Sequence, residues 1–290
     1  MTARPSLPFL LLMVFIAPVQ AQTTAAEING VIVPYVVKGS GPPLVLIHGW
    51  AVNHHYWDGD VEALAEHYTV IRYDRRGFGD ASGKPDLTAD AADLAGLLAH
   101  LGHTRAHVMG HSQGASVALT FAIRYPQMVR GLVLFGPGPT VADLALPPST
   151  KGPPIAHWIA LGKQYGVDSL RVAIARWAAN SFGGGPLSRD VMERAEQMLK
   201  TYSGTDLLDP PAPLNLAPLP RVDELQSVAT PTLVIHGDQE MAMVRLVAET
   251  LVYGIPSAQR VVVAGGGHTV NWAEPERFAA EVLRFLRTVD

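Results

Sequence analysis

The stretch 107-HVMGHSQGASVAL-119 decides the fold. Gly110, Ser112 and Gly114 make a G-x-S-x-G pentapeptide. Upstream, Ala106 to Met109 is a short apolar run that reads as the end of a buried strand. Downstream, Ala115 to Arg124 carries small and apolar residues at helical spacing. The glycines have a physical purpose in a direct strand-to-helix turn. Without side chains they let strand and helix approach closely while the serine between them holds a strained backbone. The turn puts the Ser112 hydroxyl at a helix N-terminus, where free N–H groups and the helix dipole favour negative charge. The pentapeptide suits a nucleophilic serine and also a plain glycine-rich turn, so the rest of the chain must decide.

The bulk properties narrow the field. The chain has 290 residues, 48% of them hydrophobic, which suits one large α/β domain or one domain with an insertion. A net charge of −4 and the lack of any basic run give no sign of nucleic-acid binding. There is no cysteine, which excludes a thiol nucleophile, a thiolate metal site and a disulfide framework. At the N-terminus Arg4 precedes an uninterrupted apolar run, Leu7 to Ala17, too short to span a bilayer as a mature helix. Val19-Gln20-Ala21 then offers a small-x-small cleavage site. Residues 1–21 are therefore expected to be a secretory signal peptide, leaving a secreted or periplasmic protein with no stable membrane insertion after cleavage.

Past a disordered-looking Gln22 to Ala26, the segment "EINGVIVPYVVKGSGPP" reads as a two-stranded hairpin. "LVLIHGW", "TVIRYD", the run into the elbow and "VRGLVLF" then read as buried strands. Helix-like segments over Val61–His67, Leu87–Leu101 and Ala115–Arg124 separate them. This alternation predicts an α/β fold, a mostly parallel central sheet with helices on both faces. The texture changes at Pro137: twelve of the 23 prolines lie between Pro137 and Pro220, among the helix-like pieces Ile155–Tyr165, Ser169–Ala179 and Ser188–Tyr202. Residues 137–222 are expected to be an inserted helical cap. The core domain is then 22–136 and 223–290, completed by "TPTLVIHGD", Met243–Tyr253, "QRVVVAGGGH" and Pro275–Arg287.

A serine nucleophile needs a base, and the base needs an orienting acid. The base candidate is His268, in "GGGHTVNWAEP" after the last strand; the acid candidates are Asp238 and Glu240 in "HGDQE", and chemistry alone accepts either. The other histidines have plainer readings: His54-His55 as loop surface, His48 as a structural residue, and His100, His103 and His107 sharing no single face. No spacing matches a common metal-ligand set, and no phosphate-cradling glycine loop is present, so neither a metal nor a dissociable cofactor is implied.

Five segments, "LVLIHGW", "YDRRGFGDAS", "GHSQGA", "PTLVIHGDQE" and "GGGHTVNWAEPERF", fall in a telling order. With them the chain resembles the capped branch of the α/β-hydrolase fold superfamily over nearly everything after residue 21 except the insertion. The resemblance implies Ser112 as nucleophile and His268 as general base. It also implies an oxyanion hole from the backbone N–H groups of Gln113 and Trp50. The family usually carries its acid, an Asp, two residues after the G-D aspartate. That position is Glu240 here, a longer residue that serves as a variant of the triad. Asp238 is then expected to brace the loop backbone, and Arg76, Gly77 and Gly79 to form a structural loop behind the site.

Haloalkane dehalogenases and epoxide hydrolases of this fold use Asp at the elbow, whereas this chain has Ser112. The resemblance therefore implies cleavage of a medium-sized, largely apolar carboxylic ester or lactone through an acyl-enzyme. Ile155, Trp158, Ile159, Leu161, Trp177, Phe182, Met192 and Met198 are available for an apolar ceiling, with at least half of them expected in the cap core instead. Trp50 and Trp158 are the expected substrate contacts. A cofactor-free perhydrolase or carbon–carbon bond hydrolase would use the same triad, and a ligand-sensing receptor of this fold could keep it.

Overall fold

The computed structural model describes residues 23–147, 150, 152–181, 189–209 and 219–290. The expected signal peptide 1–21, Gln22, Phe182 and Ser188 lie outside them. The first half of the chain runs β1 (Thr24–Ile28), β2 (Val31–Lys38), β3 (Pro43–Ile47), α1 (Val61–Ala65), β4 (Thr69–Tyr73), α2 (Asp90–His100), β5 (Ala106–His111), α3 (Gln113–Arg124) and β6 (Val129–Phe135). Helices α4 (Ile155–Tyr165), α5 (Val167–Ser181), α6 (Arg189–Leu199) and α7 (Thr205–Leu208) follow with no strand among the described residues between them. The chain then returns to the sheet with β7 (Thr232–Gly237), α8 (Ala242–Gly254), β8 (Ala258–Val263), α9 (Val270–Ala273) and α10 (Pro275–Leu286).

The strands form one sheet in the order β1-β2-β4-β3-β5-β6-β7-β8. The β1–β2 and β2–β4 pairings are antiparallel; from β4 to β8 every pairing is parallel. Apolar residues on both strand faces explain why the sheet is covered twice. In β3, Val45 and Ile47 enter one core cluster, whereas Leu44 and Leu46 enter the cluster on the opposite face. β6 repeats this, with Leu132 and Leu134 on one side and Val133 and Phe135 on the other. A third cluster belongs to the inserted helices: Trp158, Leu170, Ile174, Tyr202 and Leu207 pack with Ala51 and Phe78 of the core loops.

Two expectations change. Thr24 to Ala26 belong to β1 and pair with Val33 to Tyr35 of β2, so this stretch is strand and not disorder. His54 is not loop surface. It is 2% exposed, and both its backbone N–H and its Nδ1 bond the Asp74 carboxylate, at 2.8 and 2.7 Å. A buried carboxylate draws donors inward, and position 54 supplies two of them.

Candidate active site

The site lies beyond the C-terminal ends of the central strands, where open parallel sheets bind ligands. Ser112 follows β5 directly and caps α3 with φ 54° and ψ −118°. Such a conformation is strained for a residue with a side chain. Close packing around it over-determines the turn. A Cβ on Gly110 would come within 2.1 Å of the Gly114 carbonyl oxygen, and one on Gly114 within 2.3 Å of the Ile47 oxygen. The Ser112 N–H donates to Phe135 O of β6 at 2.9 Å, tying the elbow to the neighbouring strand.

His268 sits in the loop after β8 and Glu240 in the loop after β7, only 3% and 2% exposed. The His268 Nδ1–H donates to Glu240 Oε2 at 3.0 Å. The other carboxylate oxygen, Oε1, accepts the Met241 N–H at 2.9 Å, and Arg245 Nη1 donates to the Glu240 carbonyl at 2.6 Å. Donation from Nδ1 fixes the tautomer whose Nε2 has a lone pair to accept a proton. Asp238 is in a different place: it is exposed, and its Oδ1 accepts the Gly265 N–H at 3.0 Å. It ties the β7 loop to the β8 loop and makes no bond to His268.

The opposite wall comes from the loop after β3. Gly49 lies against the elbow, so close that a Cβ there would stand 3.3 Å from Ser112 Cβ. Ala51, with φ 62°, makes the next sharp turn. Between them the Trp50 N–H, like that of Gln113, has no hydrogen-bond partner among the described residues. His48 is tied into this loop through both ring nitrogens. Its Nδ1–H donates to Gly49 O at 2.8 Å, its Nε2 accepts the Arg75 N–H at 3.0 Å, and burial beside the Arg75 charge lowers its pKa to about 3.

These parts surround a cavity of about 200 Å³. Ser112, Gln113, His111 and His268 form its polar end; Trp50, Ile155, Trp177, Met198, Met241 and Trp272 are among its apolar walls. No described lining residue is charged. Of the eight expected ceiling residues, Ile155, Trp177 and Met198 line the cavity. Trp158 does not. It is 1% exposed and stacks behind Trp50 at 5.8 Å between centroids, so it supports the wall from the cluster of the inserted helices.

Three features escaped the sequence reading. His111, beside the serine, donates from Nε2 to His268 O at 2.9 Å and stacks on Tyr56 at 4.4 Å. Burial, with the nearby His268 charge, pushes its pKa well down, so it acts here as a neutral brace. Asp206 of α7 accepts the Trp50 indole N–H at 2.6 Å and the Tyr202 hydroxyl at 2.7 Å, joining the inserted helices to the β3 loop. Trp272, on α9, has the Arg194 guanidinium of α6 over its ring at 4.5 Å. Adjacency to the G-x-S-x-G serine marked His111; no local pattern marks Asp206 or Arg194. No group of three or more His, Asp or Glu able to hold a metal occurs among the described residues, nor any helix long and apolar enough to cross a membrane.

Comparison with known proteins gives a consistent result. The model of the alpha/beta hydrolase fold family matches residues 42–275. A 2-hydroxy-6-oxononadienedioate/2-hydroxy-6-oxononatrienedioate hydrolase of Burkholderia vietnamiensis is 30% identical over 87% of this chain and 86% of its own length. A soluble epoxide hydrolase of Corynebacterium sp. is 44% identical, but the match spans only 38% of this chain and 39% of that protein. Among solved structures, a thermophilic esterase from Thermogutta terrifontis superposes with a TM-score of 0.74 at 25% identity, covering 93% of this chain and 99% of the esterase.

Proposed function

The chain belongs to the alpha/beta hydrolase fold family and is a hydrolytic enzyme, and from that premise we propose that it is an exported serine hydrolase of medium-sized, largely apolar carboxylic esters or lactones. One observation carries this reading. A strained serine and a histidine, the latter bonded to a buried glutamate, share the polar end of one apolar cavity. On this reading Ser112 Oγ attacks the ester carbonyl carbon while His268 Nε2 takes the hydroxyl proton. Glu240 holds the ring and stabilises the imidazolium that forms. The Trp50 and Gln113 N–H groups receive the negative oxygen of the tetrahedral intermediate. Collapse expels the alcohol, which leaves with the proton from His268. Water, activated by His268, then attacks the acyl-enzyme and releases the acid.

With no charged residue among its described lining, the cavity supports a neutral, apolar acyl group over a dioate such as the Burkholderia relative's name implies, because a buried carboxylate without a cationic partner is costly. Ser112 at the elbow supports an acyl-enzyme. Residues 137–222 act as the cap, through Ile155, Trp177 and Met198. The 1–21 segment directs the protein to the periplasm or the medium. The test is turnover of p-nitrophenyl esters from acetate to decanoate by the wild type and by Ser112→Ala. Multiple turnovers that disappear in the variant are expected. Equal turnover by both proteins, or none by folded wild type, would remove the serine-esterase reading.

A further inference from the structure

Behind the Trp50 and Gln113 N–H groups lies a buried cation. Arg75 follows β4 and is 1% exposed. Its Nη2 pairs with Asp90 of α2 at 2.7 Å, so the charge is matched where it is buried. Its other side-chain bonds and its backbone N–H reach Gln113 and the His48–Gly49 segment that precedes Trp50. Nη1 and Nη2 both donate to Gln113 Oε1 at 3.0 Å. Nη1 also approaches His48 O at 3.4 Å and Gly49 O at 3.5 Å. The Arg75 backbone N–H donates to His48 Nε2 at 3.0 Å, and the same imidazole donates from Nδ1 to Gly49 O at 2.8 Å.

The geometry of the peptide unit gives this convergence its meaning. Gly49 C=O and Trp50 N–H belong to one planar amide and point in opposite directions. Donors that grip the carbonyl oxygen from behind therefore aim the N–H forward and strengthen it as a donor. Gln113 is gripped through its side chain, which fixes the first residue of α3 and with it the second N–H. We propose that Arg75 is a positioning residue: its guanidinium, directly and through His48, holds the Gly49–Trp50 peptide and Gln113 so that both N–H groups face the same reacting oxygen. The proposal rests on the serine-hydrolase reading above. It differs from the expectation that Arg76 braces the site, since Arg76 instead pairs with Asp93 on α2 at 2.7 Å.

The test uses two variants of the full chain. Arg75→Lys keeps the charge beside Asp90 but loses the forked grip. Gln113→Ala leaves the ion pair and the backbone N–H in place and removes only the side-chain clamp. Both are assayed on a p-nitrophenyl ester that the wild type turns over, and for inhibition by an alkyl trifluoromethyl ketone, whose adduct with a serine carries the oxyanion. Removing an oxyanion donor outright typically costs about 10²–10³ in kcat, so loosening one should cost roughly 10-fold or more. The expected result is that loss in kcat, KM within about 2-fold, and a parallel loss of affinity for the ketone. Wild-type kcat in both folded variants overturns the proposal. So does a rise in KM with kcat unchanged, or an equal weakening of the ketone and of the carboxylic acid product. Failure of the underlying reading is distinct: there Ser112→Ala would match the wild type, or the wild type would not turn over.

Discussion

Replacing Asp60 with asparagine should remove a pH-dependent penalty on folding. Asp60 precedes α1 and is 2% exposed. Its Oδ2 accepts Asn271 Nδ2 at 2.8 Å, while Oδ1 has no partner among the described residues. Burial raises its pKa from 3.8 to about 7, and the Asn271 bond and the field of Arg194 only partly oppose this. The folded-state pKa is above the unfolded one. Between these values the folded protein holds more protons, so stability falls as pH rises through the window. A shift of about 3 units corresponds to about 4 kcal/mol. Asparagine stays neutral throughout and keeps the Asn271 bond through its own oxygen. Its amide nitrogen takes the unpartnered place, at a pH-independent cost of about 1–3 kcal/mol. Other groups titrate in both proteins and cancel in the difference. Urea denaturation followed by tryptophan fluorescence, at steps from about pH 4 to about pH 8, should show Asp60→Asn gaining up to about 4 kcal/mol relative to wild type across the window. A difference that stays flat with pH would refute the reasoning, because the carboxyl would then ionise as readily folded as unfolded.

Glu240→Gln should lower ester turnover by about 10³–10⁴ with the fold intact, since the amide no longer stabilises the His268 imidazolium. Asp238→Asn should change kcat little, and the reverse ranking would show the acid to be Asp238. Gly114→Ala puts a Cβ 2.3 Å from the Ile47 carbonyl oxygen and should yield insoluble or unfolded protein, read by solubility and circular dichroism. Trp177→Ala enlarges the cavity and should move the preferred p-nitrophenyl ester to a longer acyl chain; an unchanged optimum would place the acyl group against another wall.

What the chain reveals before folding depends on how local the signal is. The buried strands were legible because both of their faces are apolar, as in "LVLI" and "VRGLVLF". Ser112, the Asp238/Glu240 pair and His268 could be placed near one another from sequence because each follows a strand, and the loops at that end of a parallel sheet converge. The division of labour between Asp238 and Glu240 came from the resemblance, and the geometry adds the two bonds that separate them. His54 was misread because its burial depends on Asp74, twenty residues away, a partner that no periodicity reveals. The sequence reading assigned Arg76 to the loop behind the site and passed over its neighbour Arg75, because nothing in sequence tells which of the two turns inward. They diverge only once α2 offers Asp90 to one and Asp93 to the other. Trp158 was taken for a cavity wall because an aromatic in a cap can face either way, and stacking on Trp50 turned it inward.

The Asp206 carboxylate, shared between the Trp50 indole and the Tyr202 hydroxyl, bears on how this enzyme can diversify. A cap transplanted from a relative would bring its own residue to position 206. Without an acceptor there, the indole N–H would be stranded in apolar surroundings, a loss of about 1–3 kcal/mol at the residue whose backbone N–H is proposed to receive the oxyanion. Chimeras are therefore expected to work only when positions 50 and 206 travel as a pair. The inserted helices and the β3 loop are thus tied through one carboxylate, so an exchange of the whole insertion must restore that acceptor, whereas a single change along the cavity wall leaves it in place.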